Sequence, residues 1–94
     1  MPLGGGSITI LASGINQPWR LAVDGINIYV IEFANAVAGA GSVKRVPISG
    51  GEIATLVDGL NGPTDIAIDG TNIYWTELGT GGTDGSITKL AKSP

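Results

Sequence analysis

The chain contains GGSITILASGINQPWRLAVDGINIYVIEF at residues 5–33 and GGEIATLVDGLNGPTDIAIDGTNIYWTEL at residues 50–78. A shift of 45 residues aligns the two segments, and 14 of the 29 aligned positions are identical. Glycine and proline recur at matching positions, so they predict turns that belong to a repeated structure. The 94-residue chain therefore contains two copies of one structural unit.

Each unit is predicted to be a set of short β-strands. DIAID (65–69), NIYWTE (72–77), SITKLA (86–91) and EIATLV (52–57) alternate or are rich in β-forming residues, and glycine-containing turns bound them. An Asp-Gly pair at 24–25, and again at 69–70, separates the first two strands, where a tight hairpin favours positive φ. A period near 45 residues with several strands per unit is typical of a β-propeller blade.

The predicted strands do not fill two blades in chain order. Residues 7–12 form an isolated outermost strand, residues 20–57 form a complete four-stranded blade, and residues 65–91 form three strands of a second blade. Two blades cannot close a propeller, and they leave sheet faces and strand edges open. We expect copies of the chain to close into a ring, with strand 7–12 of one copy completing the second blade of its neighbour.

The composition agrees with a surface that is covered by other copies. Charged residues make up only 14% of the chain, against roughly a quarter in ordinary globular proteins. The net charge of −3 has no accompanying basic stripe, which disfavours nucleic acid as a partner. We expect a soluble chain with no membrane span and no signal peptide, in a compartment that the absence of cysteine leaves undetermined.

The strand NIYWTE (72–77) resembles the YWTD repeat of the low-density-lipoprotein-receptor class. The longer run GSVKRVPISGGEIATLVDGLNGPTDIAIDGTNIYWTE (41–77) is similar to bacterial multi-repeat propeller proteins of unassigned function. The resemblance implies six blades, and therefore a homotrimer of two-blade chains. It also implies that Trp75 packs between blades and that Val30 is its smaller counterpart. Both units end the motif in glutamate, Glu32 and Glu77, where the receptor pattern has aspartate, and no ligand-binding residue is carried over.

The residues available for chemistry favour a structural interpretation. Histidine and cysteine are absent, which excludes Ser-His-Asp and Cys-His catalysis and ordinary zinc sites. Asp24 and Asp69 are candidate calcium ligands, but one aspartate per turn falls far short of six ligands, so hairpin roles are favoured. Glu32 and Glu77 are candidate glycosidase acids, but hydrogen-bond acceptors at strand ends are the preferred interpretation. We expect no enzyme activity, metal or cofactor, and structural roles for these four residues and for Trp75, Tyr29 and Tyr74.

The start of the first strand of each unit is where the two units differ in chemistry. Trp19 and Arg20 of the first unit align with Thr64 and Asp65 of the second. In a ring, Arg20 and Asp65 would alternate around one mouth of the axial channel, with Trp19 beside Arg20. One interpretation is a charge ring that determines blade order, within a non-enzymatic structural or interaction module. The alternative is a lectin-like propeller in which Trp19, Arg20 and Asp65 bind a small polar ligand or sugar.

Overall fold

The computed structural model describes residues 10–34, 39–79 and 85–92, and over these residues the chain is all-β. Its strands form two antiparallel sheets, a four-stranded sheet in the order β1-β2-β3-β4 and a three-stranded sheet in the order β5-β6-β7. The all-β prediction is confirmed. The strands are β1 (Pro18–Val23), β2 (Asn27–Glu32), β3 (Gly41–Pro47), β4 (Ala54–Leu60), β5 (Pro63–Ile68), β6 (Asn72–Glu77) and β7 (Ser86–Ala91).

Some strand bounds differ from the sequence pattern. β5 begins at Pro63 and not at Asp65, because Pro63 pairs with Glu77 across a register irregularity that the alternating pattern does not reveal. A proline at the first position of a strand costs little, since its missing N–H is not needed there. β4 lies at 54–60 and not at 52–57. Of the predicted strand 7–12, residues 7–9 lie outside the described residues, and residues 10–12 belong to no strand.

The two sheets are copies of one unit in their pairing. Ala22 pairs with Tyr29 in the first sheet, and Ala67 pairs with Tyr74 at the positions 45 residues later. Both first strands carry an irregularity after their initial proline. Glu32 pairs with Ser42 and Glu77 with Ser86, so the offset becomes 44 residues from the third strand onward. Positions related by these offsets are called equivalent below.

The two sheets pack face to face around one apolar cluster, which we call the joint. By the pairing register, Tyr29, Ile31 and Val43 share one face of the first sheet, and Ile66, Ile73 and Trp75 share one face of the second. The two contributing faces are opposite faces of the repeated unit, since Tyr74, the equivalent of Tyr29, points away from the joint. The joint therefore stacks the units in one direction and leaves one face of each sheet outside.

A close approach occurs where the first sheet meets the start of β5. A Cβ added to Gly41 would lie 2.5 Å from Cδ of Pro63 and 3.1 Å from the carbonyl oxygen of Glu32. Real Cβ atoms do not approach another heavy atom to 2.5 Å, so the first residue of β3 has to be glycine for the two units to come this close. Over the described part of the chain, no helix is long and apolar enough to cross a membrane.

Candidate functional site

Asp24 and Asp69 close the hairpin between the first two strands of their sheets. In both residues Oδ1 accepts the backbone N–H groups two and three positions further on, at 2.7–2.8 Å. Oδ2 accepts a tyrosine hydroxyl, at 3.1 Å from Tyr29 and at 2.6 Å from Tyr74. This is the geometry of an aspartate that bonds its own turn, which the hairpin interpretation predicts. Within the described residues, no group of three or more acidic side chains lies together as a metal site would require.

These hydrogen bonds stabilise the charged form of both aspartates. The backbone N–H groups of Asn27 and Ile26, followed by Lys92, hold the pKa of Asp24 well below its ordinary value. The Tyr74 hydroxyl and the turn N–H groups lower the pKa of Asp69 to about 2. The same contact raises the pKa of Tyr74, since the charged carboxylate favours a protonated hydroxyl.

Glu32 ends β2 as a buried carboxylate with its own set of donors. It accepts the N–H of Asn16 at 2.8 Å and the Ser42 hydroxyl at 2.6 Å, and Lys44 Nζ lies 3.4 Å away. Burial by itself raises the pKa of Glu32, but the bonds from Ser42 and Asn16 and the charge of Lys44 outweigh it, so the net pKa is lowered. A carboxylate held in this way is an acceptor, whereas a glycosidase acid requires a raised pKa.

Glu77 repeats part of this arrangement in the second sheet. It accepts the N–H of Asn61 at 2.9 Å, as Glu32 accepts that of Asn16, and both donors lie 16 residues before their acceptor. Its other oxygen accepts the indole N–H of Trp75 at 3.2 Å. Glu77 therefore satisfies the one polar group of the largest side chain in the joint.

The lowered carboxylate pKa values predict that the chain loses stability in acid. A group with a lowered folded-state pKa contributes stability that is fully present above its unfolded pKa and is lost as the pH falls through its folded pKa. Starting from ordinary values of 3.8 for aspartate and 4.5 for glutamate, we expect the melting temperature to fall steadily from about pH 4.5 to pH 2 and below. Thermal melts monitored by circular dichroism from pH 7 to pH 2 measure this. Asp24→Asn should flatten the decline, and a melting temperature that stays constant down to pH 2 would contradict the assignment.

Trp19 and Arg20 lie at the exposed start of β1. Trp19 is 52% exposed, and its ring stacks on Phe33 with 4.9 Å between centroids and 24° between planes. Asp65 is also exposed, and its Oδ1 accepts the N–H of its neighbour Ile66 at 2.9 Å. Neither of the two ion pairs among the described residues joins Arg20 to Asp65. The single chain therefore positions an aromatic pair, and Arg20 and Asp65 do not form an ion pair with each other within it.

A shallow groove of about 130 Å³ lies against the second sheet. Most of its lining side chains belong to the sheet face that points away from the joint, and Asp65 is the one predicted ligand-binding residue among them. Trp19 and Arg20 do not line it, so the structure does not bring the three predicted residues to one pocket. The lining residues are Asp65, Ile66, Ala67, Tyr74, Trp75, Thr76 and Ile87.

Equivalent positions of the two sheets differ sharply in exposure. Val43 is fully buried in the joint, whereas Ile87, its equivalent, is 80% exposed. Ile66 is 9% exposed on the other side of the joint, whereas Leu21, its equivalent, is 63% exposed. Val23, beside Leu21 on the same face, is also exposed. The chain thus presents exposed apolar side chains on the outside of each sheet, at positions whose equivalents pack in the joint. Val30, the equivalent of Trp75, is an exception, because it is buried on the outer face of the first sheet.

Two residues important for this geometry were not identified from the sequence. Phe33 supports Trp19, and Lys92 forms an ion pair with Asp24 across the joint. Both stand where the two units differ: Phe33 aligns with a leucine, and Lys92 aligns with Ile48. A comparison of all differing positions, not only those in the first strand, would have selected them.

Comparison of the chain with protein-family models, with curated proteins and with solved structures finds no match. The resemblance to YWTD repeats therefore stays a prediction. The internal repeat, with its covered and uncovered sheet faces, is the basis on which a function can be assigned.

Proposed function

We propose that the chain is a non-enzymatic structural or interaction module that assembles with copies of itself into a closed propeller. One observation supports this proposal above the others: three apolar side chains on the outer faces, Leu21, Val23 and Ile87, are exposed although their equivalents pack in the joint. Leu21 and Val23 on the first sheet correspond to residues of the second sheet that cover the joint, and Ile87 corresponds to a residue that is covered there.

The two outer faces are equivalent to the two faces that already pack against each other in the joint, so they are expected to fit together. If a second copy placed its first sheet on the second sheet of this chain, the two would meet through the same pair of faces as in the joint. Leu21 of the second copy would then take the place of Ile66, and Ile87 would take the place of Val43. Full burial of an aliphatic side chain of this size contributes about 1.5–3 kcal/mol, so a few such residues supply a substantial driving force.

This contact joins two different surfaces, so it is a head-to-tail contact. Repetition of such a contact gives a closed ring or an open filament, depending on the rotation between successive copies. The resemblance to YWTD repeats implies six blades, which three chains supply. In that ring, segment 7–12 of each chain provides the outermost strand of a neighbouring blade. The edge of β7 would then be paired, as the edge of β3 is paired by β4 within the chain.

The mass in solution tests this proposal directly. We expect light scattering coupled to gel filtration to give about 28.5 kDa, which is three copies of a 9.5 kDa chain. A mass of 9.5 kDa at every concentration would contradict self-assembly. A mass of four chains would preserve the ring and correct the blade number, and a mass that grows without limit would indicate a filament.

A second function, the binding of a sugar or small polar ligand, is favoured by the geometry of Trp19. Its ring is half exposed and is supported from one side by Phe33, with Arg20 adjacent in the strand. Aromatic faces beside a charged group are common in sites that bind polar organic molecules. A glycan array probed with the native chain and with Trp19→Ala distinguishes the two functions, because binding that depends on Trp19 would support the ligand-binding module.

A further inference from the structure

The joint contains an ion pair that connects the two sheets. Lys92, just after β7, places Nζ 2.9 Å from Oδ2 of Asp24 in the first hairpin. The same Nζ lies 5.6 Å from the centroid of the Tyr29 ring, within the range of a cation–π contact. Both charged side chains are largely shielded from solvent. The pair therefore joins residues 68 positions apart and closes one corner of the joint.

The second sheet carries the same acceptor without a cation. Asp69 and Tyr74 repeat the hydrogen bonding of Asp24 and Tyr29, and Asp69 is exposed. No lysine or arginine among the described residues forms an ion pair with Asp69. This corner faces the side on which the proposed function seats a second copy, so the residue that a second copy would bring there can be identified.

That residue is Ile48. Its backbone N–H donates to the carbonyl of Ile26 at 2.9 Å, and the N–H of Lys92 donates at 2.9 Å to the carbonyl of Thr71, the equivalent of Ile26. Ile48 and Lys92 therefore occupy the same place in their sheets. Ile48 is exposed in the single chain, whereas Lys92, its equivalent, contacts Asp24 of the other sheet. A second copy docked on the second sheet would give Ile48 the corresponding contact.

We infer that a second copy of this chain docks on the outer face of the second sheet with its Ile48 opposite Asp69 and Tyr74. The inference rests on the proposed function and specifies its contact surface. The ring then has two kinds of joint. The joint within a chain has the Lys92–Asp24 ion pair at its corner, whereas the joint between chains has an aliphatic side chain against an exposed carboxylate. The boundary between chains therefore lacks the ion pair that stabilises the joint within a chain.

The inference is tested by restoring the missing cation. In Ile48→Lys, the new ammonium group should reach Asp69 of the neighbouring chain as Lys92 reaches Asp24. We expect the affinity at each boundary between chains to increase about two- to fivefold at low salt, in the range of measured surface ion pairs. Sedimentation across a dilution series measures the dissociation constant. The gain should disappear at high salt, because the pair is partly exposed and is screened.

Two matched variants make the result specific. Ile48→Gln removes the aliphatic side chain without adding charge, and should not show the salt-dependent gain. Ile48→Lys combined with Asp69→Asn should lose the gain while the hairpin keeps an acceptor oxygen for its turn. A gain that survives Asp69→Asn, or no gain in an intact oligomer, overturns this docking arrangement and leaves self-assembly standing. A native chain that stays monomeric contradicts the proposed function itself, which separates the two failures.

Discussion

Replacing Trp75 with alanine is expected to lower the free energy of unfolding by about 3–5 kcal/mol, as truncation of a buried tryptophan does. Trp75 is 3% exposed and packs in the joint with Ile66 and Ile73. The truncation leaves a cavity between the sheets and also removes the indole donor from Glu77. Small proteins are stable by about 5–15 kcal/mol, so this one change removes a large part of the total.

Trp19→Ala is the matched control, because it deletes the same side chain from an exposed position. Trp19 loses its stacking with Phe33, an interaction typically worth about 0.5–1.5 kcal/mol. Urea denaturation monitored by circular dichroism, with all variants at one protein concentration, gives both differences. Equal small losses would mean that Trp75 is not buried between the sheets and that the joint is described wrongly.

The second large effect is expected on assembly. Leu21→Glu and Ile87→Glu each place a carboxylate on one of the two exposed apolar faces, where docking of a second copy would bury it. Burial of an unpaired charge costs several kcal/mol, so either variant should shift the chain from the oligomer to the monomer. Both residues are exposed in the single chain, at 63% and 80%, so the fold of the monomer should be unaffected. Light scattering measures the mass, and circular dichroism verifies the fold.

Ile26→Glu provides the control for added charge. Ile26 is 72% exposed at the tip of the first hairpin, and Thr71, its equivalent, is also exposed. Ile26 and Thr71 belong to sheets whose opposite faces are covered by the joint, and both residues are exposed. The hairpin tip therefore stays in solvent whichever face of its sheet is covered. The variant should assemble as the native chain does. Assembly of Leu21→Glu or Ile87→Glu at native affinity would exclude these faces as the contact surface.

The strands and turns could be predicted because their signals are local. β6 and β7 lie within the bounds that NIYWTE and SITKLA predict, since alternation reports directly on a strand with two distinct faces. The Asp-Gly pairs mark the hairpins correctly because Asp24 and Asp69 bond backbone groups only two and three residues away. The positive φ expected at these pairs is wrong, since neither Gly25 nor Gly70 has it. The start of β5 was predicted less well, because the irregularity after Pro63 depends on its partner strand.

The candidate sites were predicted in part. Comparison of the units identified Trp19, Arg20 and Asp65 as positions where the repeat changes its chemistry. It did not reveal that Trp19 stacks on Phe33, or that Asp65 lines a groove without Arg20. These contacts join residues that are on different strands. A comparison of equivalent positions shows where the two units differ, but it does not show which side chains contact each other.

By itself, the sequence determined the repeat, the all-β class and the hairpin turns, because each of these depends on residues close together in the chain. Only the tertiary structure decided which face of each sheet is covered. Tyr29 and Tyr74 are the same residue in the same local motif, yet Tyr29 is buried in the joint and Tyr74 lies on the outside. The physical reason is that burial depends on what packs against a side chain, and this joint covers opposite faces of its two units.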